Sequence, residues 1–352
     1  MLPQSKPEHR NPPSDSTKPE RRNPPSDSTK LPISLGTAEH NTVHSTSKNV
    51  AIACVTDLHC NDDQYPKIVG VVNDLCQQHD TVVMCINGDF VTKIVPGLKS
   101  EWVVIGNGAD ASGNHKERLI KFQGFCSNLR ANSKVQLVIN LGNHEFMHPK
   151  EVTATLKALV ALGRVHVVSN IDPGNGPFSG LVKPSVAIAG ITFVGYCTNE
   201  IFGDLHCKYA KDNGYFVGDW QNHNERFKTA IRKVDTPVLF LLSHETRDKS
   251  GKYVWPMLSG CCPSSVKSKF IAIGHDHFDF RKTTSSRLFC DRQAGSVPNL
   301  VGGNFAGADR VFCIPPYGFG VGILKFSNFP GHGISSTKSL SNRFDSASFS
   351  FK

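Results

Sequence analysis

The chain has 352 residues, a hydrophobic content of 39% and a formal net charge of +9 at pH 7. No apolar run reaches the roughly 18 residues that a membrane-spanning helix needs, which excludes membrane insertion by such a helix. Its eleven cysteines follow no regular spacing, which argues against a disulfide framework or a zinc knuckle. No Sec-type signal is visible, so we expect a soluble, cytoplasmic protein made in a reducing compartment, with non-classical export or delivery to a host as the alternative.

The first 48 residues contain a tandem repeat. The segment Lys6–Thr17 recurs as Lys18–Thr29, and the only change is Arg21 in place of His9. Segments this rich in Pro, Ser, Asp and Lys bury too little apolar surface to offset the entropy of ordering. We therefore predict that residues 1–48 are disordered and act as a flexible linker, with binding of a protein partner as the alternative. Residues 327–352 are similarly rich in Ser, Gly and Asn, which predicts a flexible tail.

Five apolar runs each end in side chains that can bind metal. A short aliphatic and β-branched run bounded by polar residues or glycine predicts a buried strand. The predicted strands are Val50–Thr56, Thr81–Asn87, Val135–Leu141, Pro237–Leu242 and Phe270–Ile273. They lead into Asp57-Leu58-His59, Gly88-Asp89, Gly142-Asn143-His144-Glu145, Ser243-His244 and Gly274-His275-Asp276-His277. Because ligands in an open α/β sheet bind outside the carboxyl ends of the strands, these segments predict one shared site.

Helical patterns alternate with these strands, and closely spaced strands follow in the second half. Apolar residues at helical spacing predict helices around Ile68–Cys76, Leu119–Leu129, Pro149–Val160 and Trp220–Val234. Further strands are predicted at Ala187–Ala189, Thr192–Tyr196, Arg287–Cys290, Arg310–Cys313 and Gly320–Phe326. Alternating βα units followed by hairpins favour two sheets packed face to face with helices outside.

The donors at the strand ends indicate the chemistry of the site. They are oxygen and imidazole groups without thiolate, which suit Mn, Fe, Zn or Mg. Their number exceeds what one ion with open positions can use, whereas two ions roughly 3.5–4 Å apart that share a carboxylate fit. A water held between two cations loses a proton readily and becomes a nucleophile. The pattern therefore predicts hydrolysis of a phosphate ester by an attacking hydroxide.

The ordered set Asp-x-His, Gly-Asp, Gly-Asn-His-Glu, His and Gly-His-x-His resembles the calcineurin-like metallophosphoesterase superfamily. Other stretches are similar to the catalytic domain of its 5′-nucleotidase branch: Gly142–Phe146, Val167–Ile171, Val186–Gly195, Leu241–His244 and Tyr317–Leu324. The resemblance covers residues 49–326. It implies an α/β fold, a four-layer αββα sandwich of two mixed β-sheets flanked by helices. It also implies a metal-dependent phosphoric ester hydrolase that cleaves a phosphomonoester.

The same resemblance implies how the donors divide between two divalent ions, drawn from Mn, Zn, Fe, Mg or Ca. Asp57, His59 and His277 would hold the first ion. Asn143, His244 and His275 would hold the second. Asp89 would bridge the two ions.

On the substrate side, the resemblance implies a catalytic role for His144. This residue would contact the phosphoryl group and help the leaving oxygen depart, as general acid or as electrostatic stabiliser. Asn199 and Arg247 are candidates for substrate contacts, with a solvated loop position as the alternative for Arg247.

The chain departs from the branch at two points. Met147 stands where the branch has an aspartate that orients the catalytic histidine, and the candidates to replace that aspartate are Glu145, His148 or an acidic group elsewhere. Residues 327–352 are too few for the C-terminal domain that gives the branch its nucleotide specificity. A nucleotide is therefore one candidate among phosphorylated small molecules.

Two rival functions stay open at the level of sequence. The basic charge fits a nuclease or phosphodiesterase on the same scaffold, although the lack of basic runs interleaved with aromatic residues disfavours nucleic acid. The departure at Met147 also allows a catalytically weak interaction or effector protein, whose N-terminal repeats recruit a partner.

Overall fold

Two mixed β-sheets lie face to face in the structure, a computed structural model. It describes residues 49–91, 115–147, 149–170, 178–197, 220–245, 254–275, 308–314, 320–327, 329 and 344–350. The strands in these ranges are β1 (Val50–Val55), β2 (Thr81–Asn87), β3 (Val135–Asn140), β4 (Val165–Val168), β5 (Val182–Lys183), β6 (Ser185–Ile188), β7 (Ile191–Tyr196), β8 (Val238–Ser243), β9 (Ser268–Ile273), β10 (Arg310–Cys313), β11 (Gly320–Phe326) and β12 (Phe344–Ser350).

The strand order brings the site-bearing strands together. The larger sheet has the order β12-β11-β1-β2-β3-β4-β5, with β1 to β5 parallel and with β11 and β12 each antiparallel to its neighbour. The smaller sheet has the order β10-β9-β8-β7-β6, in which only β6 is antiparallel to its neighbour. Consequently β1, β2 and β3 end at one edge of the larger sheet, and β8 and β9 end at one edge of the smaller sheet.

Helices cover the outer faces of both sheets. They are α1 (Tyr65–Gln78), α2 (His115–Ala131), α3 (Pro149–Ala161), α4 (Trp220–Arg232) and α5 (Val254–Ser259), with short 3-10 helices at Asp62–Gln64 and His144–Met147. Apolar residues of α1, α2 and α3 share a core with the larger sheet, and those of α4 and α5 share one with the smaller sheet. Among the described residues, no helix is both long enough and apolar enough to cross a bilayer.

These layers arise because the side chains of each strand point alternately to its two faces. In β1, Val50, Ile52 and Cys54 belong to the core between the two sheets, whereas the residues between them pack against the helices. Because successive side chains of a strand point to opposite faces, a strand buried on both faces is apolar throughout. The continuous apolar runs of the sequence therefore correspond to central strands.

The predicted four-layer αββα sandwich is confirmed by these layers. The five site-bearing strands begin and end within two residues of their predicted bounds. Three strands were not predicted: β4, β5 and β12. Strand β12 lies within residues 327–352, for which a flexible tail is predicted, and it pairs with β11 from Gly320↔Ser350 to Phe326↔Phe344. The predictions for residues 1–48 and for a strand at Arg287–Cys290 lie outside the described residues.

Candidate metal centre

The five site-bearing strands deliver their polar segments to neighbouring strand ends. Seven of the candidate residues are described: Asp57 and His59 after β1, Asp89 after β2, Asn143 and His144 after β3, His244 after β8, and His275 after β9. The first six are at most 5% exposed, and His275 is partly buried. Polar groups buried to this degree need partners that compensate for lost hydration. Strand ends from both sheets therefore enclose one polar centre.

Two groups of donor atoms in this centre are close enough to hold an ion. One group is His59, Asp89 and His144, and the other is Asp89, His244 and His275. Within each group all ligand atoms lie within 4.8 Å of one another. Asp89 belongs to both groups. Because it follows a strand of the larger sheet, the second group joins that sheet to two strand ends of the smaller sheet.

Three imidazole rings surround one carboxylate oxygen. Asp89 Oδ2 lies 3.1 Å from His244 Nε2, 3.6 Å from His144 Nε2 and 3.8 Å from His59 Nε2. Burial alone would raise the pKa of Asp89, but positive charge on His144, His244 and His59 holds that pKa well below its ordinary value. Burial alone would lower the pKa of His244, but Asp89 raises that pKa well above its ordinary value. A cation next to the Asp89 carboxylate is therefore electrostatically favourable.

The hydrogen bonds of His244 fix which of its nitrogens faces the centre. Its Nδ1 lies 2.9 Å from the backbone oxygen of Asn87, which can only accept, so Nδ1 donates. In the neutral ring, Nε2 then carries a lone pair directed at Asn143 Oδ1 at 3.0 Å and Asp89 Oδ2 at 3.1 Å. These three groups need a cation among them: a proton on Nε2 supplies it in the metal-free centre, in agreement with the raised pKa of His244, and a divalent ion can replace that proton. Nitrogen and oxygen donors of this kind fit a divalent metal ion.

The amide of Asn143 can serve this centre in two ways. In the orientation described, its oxygen faces His244 and is available to a metal ion. Rotated by 180°, its nitrogen would lie 3.0 Å from His244 Nε2 and 3.1 Å from Asp89 Oδ2, as a donor to both. The first orientation suits a metal-bound centre and the second suits a metal-free one.

Asp57 links the two sheets next to the centre. Its Oδ1 and Oδ2 lie 3.2 and 3.0 Å from the backbone nitrogen of His275, which follows β9 of the smaller sheet. The Thr56 hydroxyl lies 2.6 Å from Asp57 Oδ2. The rings of His275 and His244 meet edge to face, with centroids 5.3 Å apart. These contacts hold residues of three strand ends beside one another.

The backbone at the candidate ligands is strained. The φ values are 48° at Asp57, 43° at His59, 52° at Asp89 and 67° at His275. They lie in the left-handed region, which residues other than glycine seldom adopt. Such conformations cost of the order of 1–3 kcal/mol each and persist where the surroundings impose them, typically at functional sites. Here the strain accompanies side chains that turn from the strand ends towards a common centre.

Two glycines permit the loops after β2 and β3 to approach closely. Gly88 has φ +81°, and a Cβ added there would lie 2.7 Å from the Cα of Gly142. A Cβ added at Gly142 would lie 2.5 Å from the backbone nitrogen of Asp89. Both distances are too short for a side chain, so glycine at these positions allows Asp89 to lie beside the Gly142–Glu145 segment.

Glu145 supports this loop contact. Its Oε2 accepts hydrogen bonds from the backbone nitrogens of Gly142 at 2.6 Å and Asp89 at 3.0 Å, and its Oε1 accepts one from Phe90 at 2.9 Å. From the sequence, Glu145 is one candidate for the group that orients His144, but both of its oxygens contact backbone donors. Burial, followed by the charge of Asp89, raises the pKa of Glu145 to about 8, although the hydrogen bonds from Gly142 and Phe90 oppose this shift.

His144 lies at the edge of the first donor group. Its ring meets His59 edge to face, with centroids 4.9 Å apart. Its backbone nitrogen donates to Asp89 Oδ1 at 3.0 Å, which fixes the start of the 3-10 helix next to the carboxylate. The ring is therefore close enough to the candidate ligands either to bind an ion or to meet a molecule bound there.

Two buried asparagines were missed by sequence reasoning. Asn87 and Asn140 end β2 and β3, and their side chains donate to backbone oxygens of the smaller sheet. The sequence offered only a weak signal, a polar residue closing each apolar run. Three predicted site residues, His277, Asn199 and Arg247, lie outside the described residues.

A family model and several solved structures are similar to this chain. A family model described as calcineurin-like phosphoesterase matches residues 50–279, well over half of the chain. Among solved structures, the calcineurin-like phosphoesterase YfkN from Bacillus subtilis is 15% identical, with a TM-score of 0.45 over 85% of this chain and 90% of that chain. The sulfate thiohydrolase SoxB from Thermus thermophilus, in complex with glycerol, is 11% identical, with a TM-score of 0.46 over 84% of this chain and 56% of that chain. No curated protein matches the chain significantly.

Proposed function

We propose that this chain, which belongs to the calcineurin-like phosphoesterase family, hydrolyses a phosphomonoester at a centre of two divalent metal ions. Membership of the family and the two donor groups support a metal-dependent phosphoesterase. The observation that carries the two-ion proposal is the presence of Asp89 in both groups. A carboxylate has two oxygens and can bridge two cations, so Asp89 is the residue that this role requires.

The other donors divide around Asp89. Asp57 and His59 would hold the first ion, together with His277 from outside the described residues. Asn143, His244 and His275 would hold the second ion. The ions, when bound, would supply Lewis acidity and lower the pKa of a water molecule into the neutral range. Asn143 contributes a neutral oxygen, which limits negative charge near an anionic substrate.

His144 would act on the substrate. Its Nε2 lies 3.6 Å from Asp89 Oδ2, so a phosphoryl group bound at the centre would lie within its reach. A protonated imidazole in this position can donate to the leaving oxygen or stabilise its charge.

Replacing Asp89 tests the proposal. Asp89→Ala removes the shared carboxylate, so we expect bound metal and hydrolysis of p-nitrophenyl phosphate both to be lost. The matched control is Asp74→Ala, because Asp74 is an exposed aspartate of α1. Elemental analysis measures the bound metal in both variants, and phosphate release measures their activity. Full activity and metal content in Asp89→Ala would refute the two-ion centre.

The net charge of +9 favours one rival, a phosphodiesterase or nuclease on the same scaffold. Comparing p-nitrophenyl phosphate with its bis ester separates the two functions, because a monoesterase prefers the dianionic ester. A panel of nucleotides, sugar phosphates and phosphopeptides then identifies the leaving group. We expect the monoester to be hydrolysed faster, and a preference for the bis ester would favour the rival.

A further inference from the structure

The second donor group requires that the two sheets keep a fixed position relative to each other. Asp89 follows β2 of the larger sheet, whereas His244 and His275 follow β8 and β9 of the smaller sheet. A metal ion tolerates deviations of only about 0.2 Å in the positions of its ligands. A sliding movement of one sheet over the other would therefore separate Asp89 from His244.

The apolar core between the sheets does not by itself prevent such sliding. It consists of aliphatic and aromatic side chains such as Ile52, Val83, Phe240 and Phe270. Hydrophobic burial is non-directional, so it favours contact between the sheets without fixing their register. Directional contacts are needed close to the metal centre.

Asn87 and Asn140 supply those directional contacts. Asn87 Nδ2 lies 3.0 Å from the backbone oxygen of Ser243 and 3.3 Å from that of Ala272. Asn140 Nδ2 lies 3.0 Å from the backbone oxygen of Tyr196 and 3.1 Å from that of Leu242. The two side chains are fully buried, and each amide therefore donates from the larger sheet to the smaller one.

The two asparagines also contact each other and the candidate ligand His244. Asn140 Nδ2 lies 2.9 Å from Asn87 Oδ1, and the backbone oxygen of Asn87 accepts from His244 Nδ1 at 2.9 Å. Asn87 is therefore tied both to the backbone next to His244 and to its ring. Gly195 leaves room for this arrangement, because a Cβ there would lie 2.5 Å from Asn140 Oδ1.

We infer that Asn87 and Asn140 form an inter-sheet bridge that positions His244 relative to Asp89, and so sets the affinity of the second metal ion. The inference rests on the proposed two-ion centre. Neither asparagine is a ligand in it, so both are positioning residues. Residues that orient ligands from outside the coordination sphere typically contribute about 10–100-fold to metal affinity.

The test is Asn140→Leu, which keeps most of the side-chain volume and removes the donors. Calorimetric titration of metal-free protein with Mn²⁺ should show two binding events in the wild type. In Asn140→Leu the affinity of one event should fall by about 10–100-fold, while the other stays within about threefold. Unchanged affinity at both sites would overturn the inference and leave the two-ion centre intact. A wild type that binds a single ion or none would overturn the two-ion centre and the inference with it.

Gln136→Leu is the matched control. Gln136 is a buried amide on β3 and shares the inter-sheet face with Asn140, but it lies at the opposite end of the strand. Its substitution should leave both Mn²⁺ affinities unchanged. An equal loss of affinity in this control would overturn the inference, because the effect would then not depend on the bridge.

Gly195→Ala tests the bridge without changing either asparagine. The added methyl group would lie 2.5 Å from Asn140 Oδ1 and 2.6 Å from the backbone oxygen of Val168, so it must displace the amide or the neighbouring strand. We expect the same selective loss of one Mn²⁺ affinity. If Asn140→Leu does not fold, Gly195→Ala still tests the inference. Mn²⁺ affinities equal to those of the wild type in Gly195→Ala would also overturn it.

Discussion

The backbone nitrogen of Asp89 donates a hydrogen bond of 3.0 Å to Glu145 Oε2, which links the proposed bridging ligand to the loop after β3. The same oxygen accepts from Gly142, and Oε1 accepts from Phe90. Glu145 is fully buried, and three backbone donors are thus satisfied by one side chain. The Glu145 side chain therefore holds two ligand-bearing loops together without being a ligand in the proposed centre.

Glu145→Gln should lower the stability of the metal-free protein at about pH 4, where the pKa of about 8 leaves Glu145 uncharged in the folded state and an uncharged carboxyl can still accept through both oxygens. The substituted amide places an NH2 group against a backbone N–H, so at least one buried donor loses its acceptor. Such a loss costs about 1–3 kcal/mol of the free energy of unfolding. Urea denaturation followed by circular dichroism measures the difference. Glu117→Gln is the control, because that side chain is 60% exposed on α2 and its substitution should cost less than about 0.5 kcal/mol. Equal stability of Glu145→Gln and wild type would contradict the role assigned to Glu145.

Metal ions should stabilise the fold. Asn143 Oδ1 and Asp89 Oδ2 lie 3.0 and 3.1 Å from His244 Nε2, so the folded chain holds together three donors that the unfolded chain does not. Binding to the folded state alone adds about 2.7 kcal/mol at a free ion concentration 100 times Kd. We expect chelation to lower Tm and Mn²⁺ to restore it, as measured by calorimetry.

Asp89→Asn should largely abolish this response, because the shared negative charge is removed. Asp74→Asn should respond to Mn²⁺ as the wild type does. A Tm of the wild type that is indifferent to both chelator and Mn²⁺ would count against any metal centre in this protein.

Arginines support the edge of the larger sheet that lies opposite the candidate metal centre. Arg164 donates to the backbone oxygens of Asn132 and Arg130 at 2.8 Å each, and Arg130 Nε donates to Gly163 at 2.7 Å. Cations near the C-terminus of a helix satisfy its last carbonyl groups. Since the side chain of Arg164 is only part-buried, Arg164→Ala should cost about 1 kcal/mol of unfolding free energy and leave metal affinity unchanged. Arg232→Ala, at the exposed end of α4, is the control, and an equal loss there would contradict the assignment.

Most of the fold could be predicted because its central strands are buried on both faces. Strands such as β1, β2 and β8 are buried at every position, and this produces the continuous apolar runs that sequence reasoning detects. Strand β12 was not predicted, because its composition resembles a loop and its pairing with β11 depends on a distant partner. Local periodicity carries no information about such pairing.

The candidate ligands could be predicted for a similar reason, since each directly follows a recognisable strand. Asn87 and Asn140 could not, because each acts on backbone oxygens far away in the sequence: Asn87 donates to Ser243, 156 residues away. The left-handed backbone at Asp57 and Asp89 is likewise only weakly encoded by residue type. Sequence patterns therefore indicated the candidate ligands, and the structure added what holds them in place.

An experiment can distinguish two roles for His144, which are action on the leaving oxygen and binding of an ion. If it acts on the leaving oxygen, His144→Ala should keep its metal content while kcat falls by about 10²–10⁴-fold. The loss should be larger for an alkyl phosphate than for p-nitrophenyl phosphate, because a poor leaving group depends more on protonation. If His144 instead binds an ion with His59 and Asp89, the variant should lose metal.

Elemental analysis and kinetics on the two esters measure both quantities in one preparation. His166→Ala is the control, since this histidine of β4 lies outside both donor groups. We expect full metal content in both variants and a leaving-group-dependent loss of kcat in His144→Ala alone. An equal loss of kcat with both esters would mean that His144 does not assist departure of the leaving group. Stabilisation of the phosphoryl group would then account for its effect, because that contribution does not depend on the basicity of the departing oxygen.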